Sequence, residues 1–176
     1  MCVGVVRSIA ESWAIIERKL GAPTRWWIPG AGAEAIAACE RVLGVTLPAD
    51  YRESVALHDG FGGYLGSFEL SSLDEVMDSA RMFEEISASL GPDLPGHIRV
   101  VGPVRAQRWN RKWVPIVRTS SAHSLLLDLD PLLAGNVGQV IELTREMNVV
   151  TIRTPSFAVW LERFADELDT DANPRF

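Results

Sequence analysis

Apolar residues recur at helical spacing in the first half of the chain and form short continuous runs in the second. Ile9, Trp13, Ile16 and Leu20 share one face, which predicts a helix from Val5 to Leu20 ended by Gly21 and Pro23. The segment from Ala22 to Gly32 reads as a loop. Its adjacent Trp26 and Trp27 are expected to plug the core, because rings of that size are costly to expose. A second helix is predicted from Ala33 to Leu43, with Ile36, Cys39 and Leu43 buried and Gly44 as its stop. A third begins at Pro48, whose missing N–H costs nothing in a first turn. Asp50 lies near its positive end, Tyr51 and Val55 face inward, and Gly60 closes it.

Gly60-Phe61-Gly62-Gly63 reads as a turn into a short strand from Leu65 to Leu70. Ser72 and Glu75 have the spacing of a capping box and open a fourth helix. Val76, Met82, Phe83, Ile86 and Leu90 are its apolar positions, and the Gly91–Gly96 segment breaks it. Strands are then predicted at Ile98–Val101, Trp113–Arg118, Ser124–Leu129, Val137–Leu143 and Val149–Arg153, with a hairpin turn at Thr119–His123. A last helix starts at Pro155 behind Thr154 and buries Phe157, Trp160, Leu161, Phe164 and Leu168. The tail from Asp169 is expected to be loose. Helices followed by a meander of strands and a closing helix define an α+β domain, not a doubly wound nucleotide-binding fold. One domain over residues 1–176 suits this length, with an ordered core from about residue 5 to 169.

Charge adds a second pattern. The net charge is −6, which disfavours general nucleic-acid binding. The distribution is uneven, however. Residues 72–93 hold six acids against the single base Arg81, and residues 97–118 hold six bases and no acid. Such asymmetry can steer a charged partner, or the two segments can be solvated faces that neutralise each other. Cys2 and Cys39 lack metal or disulfide-framework spacing, no run is long enough to span a bilayer, and no signal peptide is read. A cytoplasmic protein with no membrane association is expected.

Candidate chemistry is sparse. His58, His97 and His123 are far apart, so no zinc set is predicted, and His58-Asp59 is read as a helix end. Asp128 and Asp130 could hold a cation, but fit better as a turn cap and a backbone or arginine acceptor. Gly-x-Ser-x-Gly and phosphate-loop patterns are missing from the sequence. Arg108-Trp109-Asn110-Arg111-Lys112-Trp113 interleaves bases with aromatics, a pattern that could stack on single-stranded nucleic acid. The competing reading turns Trp113 inward and leaves the arginines in water. No catalysis and no cofactor are expected.

The run from Ile36 through Gly44-Val45-Thr46-Leu47-Pro48-Ala49-Asp50-Tyr51-Arg52 to His58-Asp59-Gly60 resembles the signature of the SUKH superfamily. Trp113-Val114-Pro115-Ile116, Leu127–Pro131 with Gly138-Gln139-Val140-Ile141, and Pro155-Ser156-Phe157 through Trp160-Leu161 resemble it as well. With Trp13, Ile16, Glu17 and Leu20 the resemblance spans Ser12 to Asp169. It implies N-terminal helices, a curved and mostly antiparallel sheet of five to six strands, and a C-terminal helix on that sheet. It also implies a non-catalytic role: fungal members regulate cell-wall synthesis, and bacterial members bind and neutralise toxins. Two departures stand out: Ser120–Ser124 replaces a Gly/Asp-rich hairpin, and residues 72–112 match no motif. The expected partner is therefore a protein, a toxin domain first and a regulatory partner second. Nucleic acid or a small ligand comes third. Asp74, Glu75, Asp78, Glu84 and Glu85, with Trp109 and Arg111, are the expected partner-binding residues.

Overall fold

The computed structural model describes residues 6–21, 27–62, 68–91, 97–119, 123–144 and 148–170. Cys2, Trp26, residues 63–67, the Pro92–Gly96 breaker, the turn residues Ser120–Ala122 and the tail beyond Thr170 lie outside them.

Among the described residues, five helices and eight strands follow in the order α1 (Ile9–Leu20), β1 (Trp27–Pro29), α2 (Ala33–Leu43), α3 (Ala49–Leu57), β2 (His58–Phe61), β3 (Phe68–Leu70), α4 (Leu73–Ser89), β4 (Arg99–Val101), β5 (Trp113–Thr119), β6 (His123–Asp128), β7 (Gln139–Thr144), β8 (Val149–Thr154) and α5 (Phe157–Thr170). Six strands form one sheet in the order β3-β5-β6-β7-β8-β4, antiparallel except for the β4–β8 pair, and β1 and β2 form a separate antiparallel pair. The architecture is α+β.

Local chemistry sets the helix ends. Helix α1 starts four residues later than its apolar spacing suggests. Ser8 and Glu11 form a capping box there, so the chain enters the helix at Ile9. Helix α2 ends as expected on Gly44, whose φ of +66° turns the chain so that the Val45 N–H also reaches the Glu40 carbonyl. Pro48 takes the N-cap of α3 and not its first turn, and α3 stops at Leu57 because His58–Phe61 pairs with β1. Trp27, expected in a loop, is therefore in a strand. Helix α5 is entered through Ser156, whose Oγ accepts the Val159 N–H at 3.3 Å, whereas Thr154 donates to the Ser156 carbonyl. Asp50 reaches further than its own helix. One oxygen accepts the Tyr51 N–H and the other accepts the Ala158 N–H in the first turn of α5. That carboxylate ties the N-termini of two helices together.

The large sheet is buried on both faces. Val114, Ile116, Leu125, Leu127 and Val140 join a core built with α1, α2, α3, α5 and the first turns of α4, through Leu73 and Val76. Trp113, Leu126, Ile141, Leu143 and Val150 point the other way, into a second core closed by Phe83 of α4 and by Ile98, Val104 and Trp109. Double-sided burial explains why β6 reads as an unbroken apolar run and not as an alternation. Helix α5 packs on α1 as well as on the sheet. Trp160 stacks on Phe164 at 5.6 Å, and Phe157 meets Tyr51 edge-on at 5.0 Å.

Candidate interaction surface

Helix α4 lies where the second core meets solvent, and it carries all five candidate acids. The structure sorts them. Glu75 accepts the Ser72 N–H at 2.8 Å while Ser72 Oγ accepts the Glu75 N–H, so this carboxylate holds its own helix end. Glu84 is a clamp. One oxygen accepts Arg111 Nε and Nη2 at 2.8 and 2.6 Å, and the other accepts Trp109 Nε1 at 3.1 Å. The Arg111 hydrogen bonds draw its carboxyl below the usual glutamate range. Trp109 stacks on Phe83 with centroids 4.8 Å apart, beside the buried Trp113. These contacts fasten the 97–112 segment onto α4, and the oppositely charged stretches meet there. Asp74, Asp78 and Glu85 remain on the outer face, where Asp78 pairs with the similarly exposed Arg81.

Arg105 and Arg108 of the Arg105–Trp113 stretch are also engaged. Arg105 binds Asp130 at 2.8 Å, Asn110 donates to the same carboxylate at 3.1 Å, and Arg108 donates to the Leu90 and Gly91 carbonyls. Between the clamp and α2 lies a groove of about 290 Å³ floored by Val42, Leu43, Met77 and Ala80 and walled by Trp109 and Arg111.

Residues with chemical potential in the sequence serve the fold. Asp128 is fully buried and accepts Trp113 Nε1, Gln139 Nε2 and the Asp130 N–H at 3.0, 2.9 and 3.0 Å. Asp130 is outside the strand and faces Arg105, so the two carboxylates do not share a site. His58 and Asp59 diverge. The imidazole contacts Glu17 at 2.6 Å between the rings of Trp13 and Trp27, and Asp59 accepts the Leu73 N–H at the start of α4. His58 is both the C-cap of α3, where its N–H reaches the Ser54 carbonyl, and the first residue of β2. Among the described residues, no three His, Cys, Asp or Glu side chains converge as metal ligands. Cys39 is fully buried in α2, and burial pushes its thiol up to about 11. In a Cys2→Ser variant it is expected to resist a thiol reagent at neutral pH until the chain unfolds, so modification by 5,5′-dithiobis(2-nitrobenzoate) should track the unfolding transition. Fast labelling of Cys39 in that folded variant would contradict the packing of α2.

The sequence reading missed the surface aliphatics. Val76 and Phe83 are buried as expected, but Met82, Ile86 and Leu90 are exposed by 42, 41 and 59%. The geometry was available in the spacing. Val76 and Phe83 are seven apart and share a face, while Met82 lies about 100° round the helix from Phe83. Leu90 stands past the last turn. Leu132, Leu133 and Val137 form a second exposed group on the β6–β7 connection.

The fold and this surface define a helix-flanked, mixed-sheet α+β domain whose charged interior groups are structural. The family model for SMI1/KNR4 proteins (SUKH-1) matches residues 30–163, and the chain belongs to that family. It is also 25% identical, across 92% of its own length, to the cell wall biosynthesis/cell cycle regulator smi1 of Schizosaccharomyces pombe. The alignment covers 36% of that relative, so the chain spans about a third of the fungal protein's length. Among the described residues, no helix is long and apolar enough to cross a membrane.

Proposed function

We propose that this chain is a non-catalytic binding domain that acts by sequestering another protein, as an immunity protein does with a toxin domain. One observation carries the reading. The buried Asp128 and the half-buried Asp59 are committed to internal hydrogen bonds, while the outer face of α4 sets Asp74, Asp78 and Glu85 beside exposed aliphatics. Surfaces of mixed acid and apolar character fit association better than chemistry. Co-expression with a toxin domain, taken first from the neighbouring open reading frame, tests it. Protection from growth arrest and a 1:1 complex are expected, and continued killing with no complex would reject the immunity reading.

A regulatory interaction module is the second reading, favoured by the similarity to the fungal smi1 regulator. Affinity capture from the native host would then return cell-wall or cell-cycle proteins in place of a toxin.

A further inference from the structure

The outer face of α4 carries groups that the fold does not consume. Met82, Ile86 and Leu90 recur every four residues, each more than two-fifths exposed. Asp74, Asp78 and Glu85 are exposed along the same helix. Ile86 and Leu90 continue over its edge into a groove of about 100 Å³ that includes Phe83, Ile98, Trp109 and Leu143.

We propose that this strip docks a basic amphipathic helix of the partner. The partner seats one branched aliphatic side chain in the groove and lays lysines or arginines against Asp78 and Glu85. The inference rests on the protein-binding reading above and specifies the chemistry of what is bound.

Three features support that occupant. The first is size. A cavity of about 150 Å³ lined by Leu, Ile and Phe admits benzene. This groove is smaller, which suits an aliphatic anchor better than an aromatic one. The second is charge. Three exposed carboxylates, Asp74, Asp78 and Glu85, outnumber the strip's base Arg81, while Arg108 borders the groove and already binds the Leu90 and Gly91 carbonyls at the C-terminal end of α4. A basic partner is attracted, and an acidic one is repelled. The third is spacing. Aliphatics four residues apart present the ridge against which a second helix packs its own i, i+3, i+4 positions. The groove wall is also set in advance, because Glu84 holds Trp109 before any partner arrives.

The experiment titrates the isotope-labelled full chain with a synthetic amphipathic Leu/Lys helix and, in parallel, with its Leu/Glu counterpart, followed by amide chemical shifts. Shifts from the Leu/Lys helix are expected to concentrate at residues 78–90 and at Ile98 and Leu143, and to weaken with added salt. Ile86→Asp should lower affinity by roughly tenfold or more, as removal of a central apolar anchor does. Glu85→Lys should lower it less and flatten the salt dependence. Leu133→Asp, on the other exposed apolar group, should change nothing. If Ile86→Asp does not fold, Glu85→Lys and Met82→Lys decide the matter. Equal binding of the Leu/Glu helix, shifts centred elsewhere, or loss of binding in Leu133→Asp would overturn the proposal. Mapping to α4 with no toxin neutralised would reject the immunity role and leave this surface assigned. Neutralisation without mapping to α4 would do the opposite.

Discussion

Replacing Asp128 by alanine is expected to lower the unfolding free energy by about 3–5 kcal/mol, since it breaks a buried charged network. The carboxylate is inaccessible to water and accepts from Trp113, Gln139 and the Asp130 backbone. Each buried donor left without a partner costs about 1–3 kcal/mol. The damage spreads, because Gln139 also donates to the Pro103 carbonyl and accepts the Asn136 N–H. One side chain therefore couples β5, β6 and β7 to the loop that presents Leu133. Asp128→Asn keeps one acceptor but turns an amide N–H₂ toward Gln139 Nε2, so it should be destabilising by a smaller amount. Urea unfolding at neutral pH reads both, and a loss below about 1 kcal/mol for the alanine variant would refute the role assigned to Asp128.

The pH dependence follows from the same group. Burial pushes the Asp128 carboxyl above the ordinary aspartate range, against the pull of its hydrogen bonds. The folded chain then holds this proton more tightly than the unfolded chain. Its contribution to stability is greatest below the ordinary value of 3.8 and declines as pH rises through the folded value. Asparagine has no such slope. The stability gap between wild type and Asp128→Asn should narrow as pH rises out of the acid range, and a widening gap would contradict the direction of the shift.

The second large effect is expected at Gly60. Its φ is +86°, and a Cβ there would stand 2.7 Å from the Leu70 carbonyl oxygen and the Ser72 nitrogen, and 2.8 Å from the Ser71 carbonyl carbon. These are backbone atoms with little freedom to retreat. The Ser71 N–H is bonded to the Ile116 carbonyl, and Ser72 caps α4. Gly60→Ala combines conformational strain with a clash, and about 3 kcal/mol or more is expected. Gly44 supplies the comparison. Its φ is +66° but nothing lies within 4 Å of a Cβ, so Gly44→Ala should cost only about 1 kcal/mol. Parallel thermal or urea unfolding of the two variants separates space from strain. Similar losses would mean that the β2–α4 junction gives way.

Legibility in the sequence followed the range of the interaction. Helix α2 matches its expected bounds, from Ala33 to the left-handed Gly44, because spacing and the stop signal are local. The Ser72–Glu75 box is equally local and marks the start of α4. Strands β5 to β8 lie within about two residues of the expected runs, for a similar reason: Val, Ile and Leu runs favour extended backbone. The α1 start was misplaced because apolar spacing continued past a capping box that local chemistry preferred. His58–Phe61 could not be recognised as a strand, since its pairing partner Trp27 is 34 positions away from Phe61 and belongs to a segment with loop composition.

The candidate surface was legible in its charges and not in its contacts. That Glu84 and Arg111 belong to opposite charge blocks is visible in the chain. That they meet, with Trp109, and leave Asp74, Asp78 and Glu85 outside depends on how residues 97–112 cross α4.

Sequence alone determined the α+β class, most element positions, the alternation of charge between residues 72–93 and 97–118, and the family likeness. Those properties come from neighbours a few positions apart. Tertiary structure decided three other things: β4 takes the far edge parallel to β8, Asp128 becomes a buried acceptor, and the Met82, Ile86 and Leu90 stripe stays in water. Each depends on which distant segment covers which face. An aliphatic side chain is equally apolar whether a sheet lies over it or not.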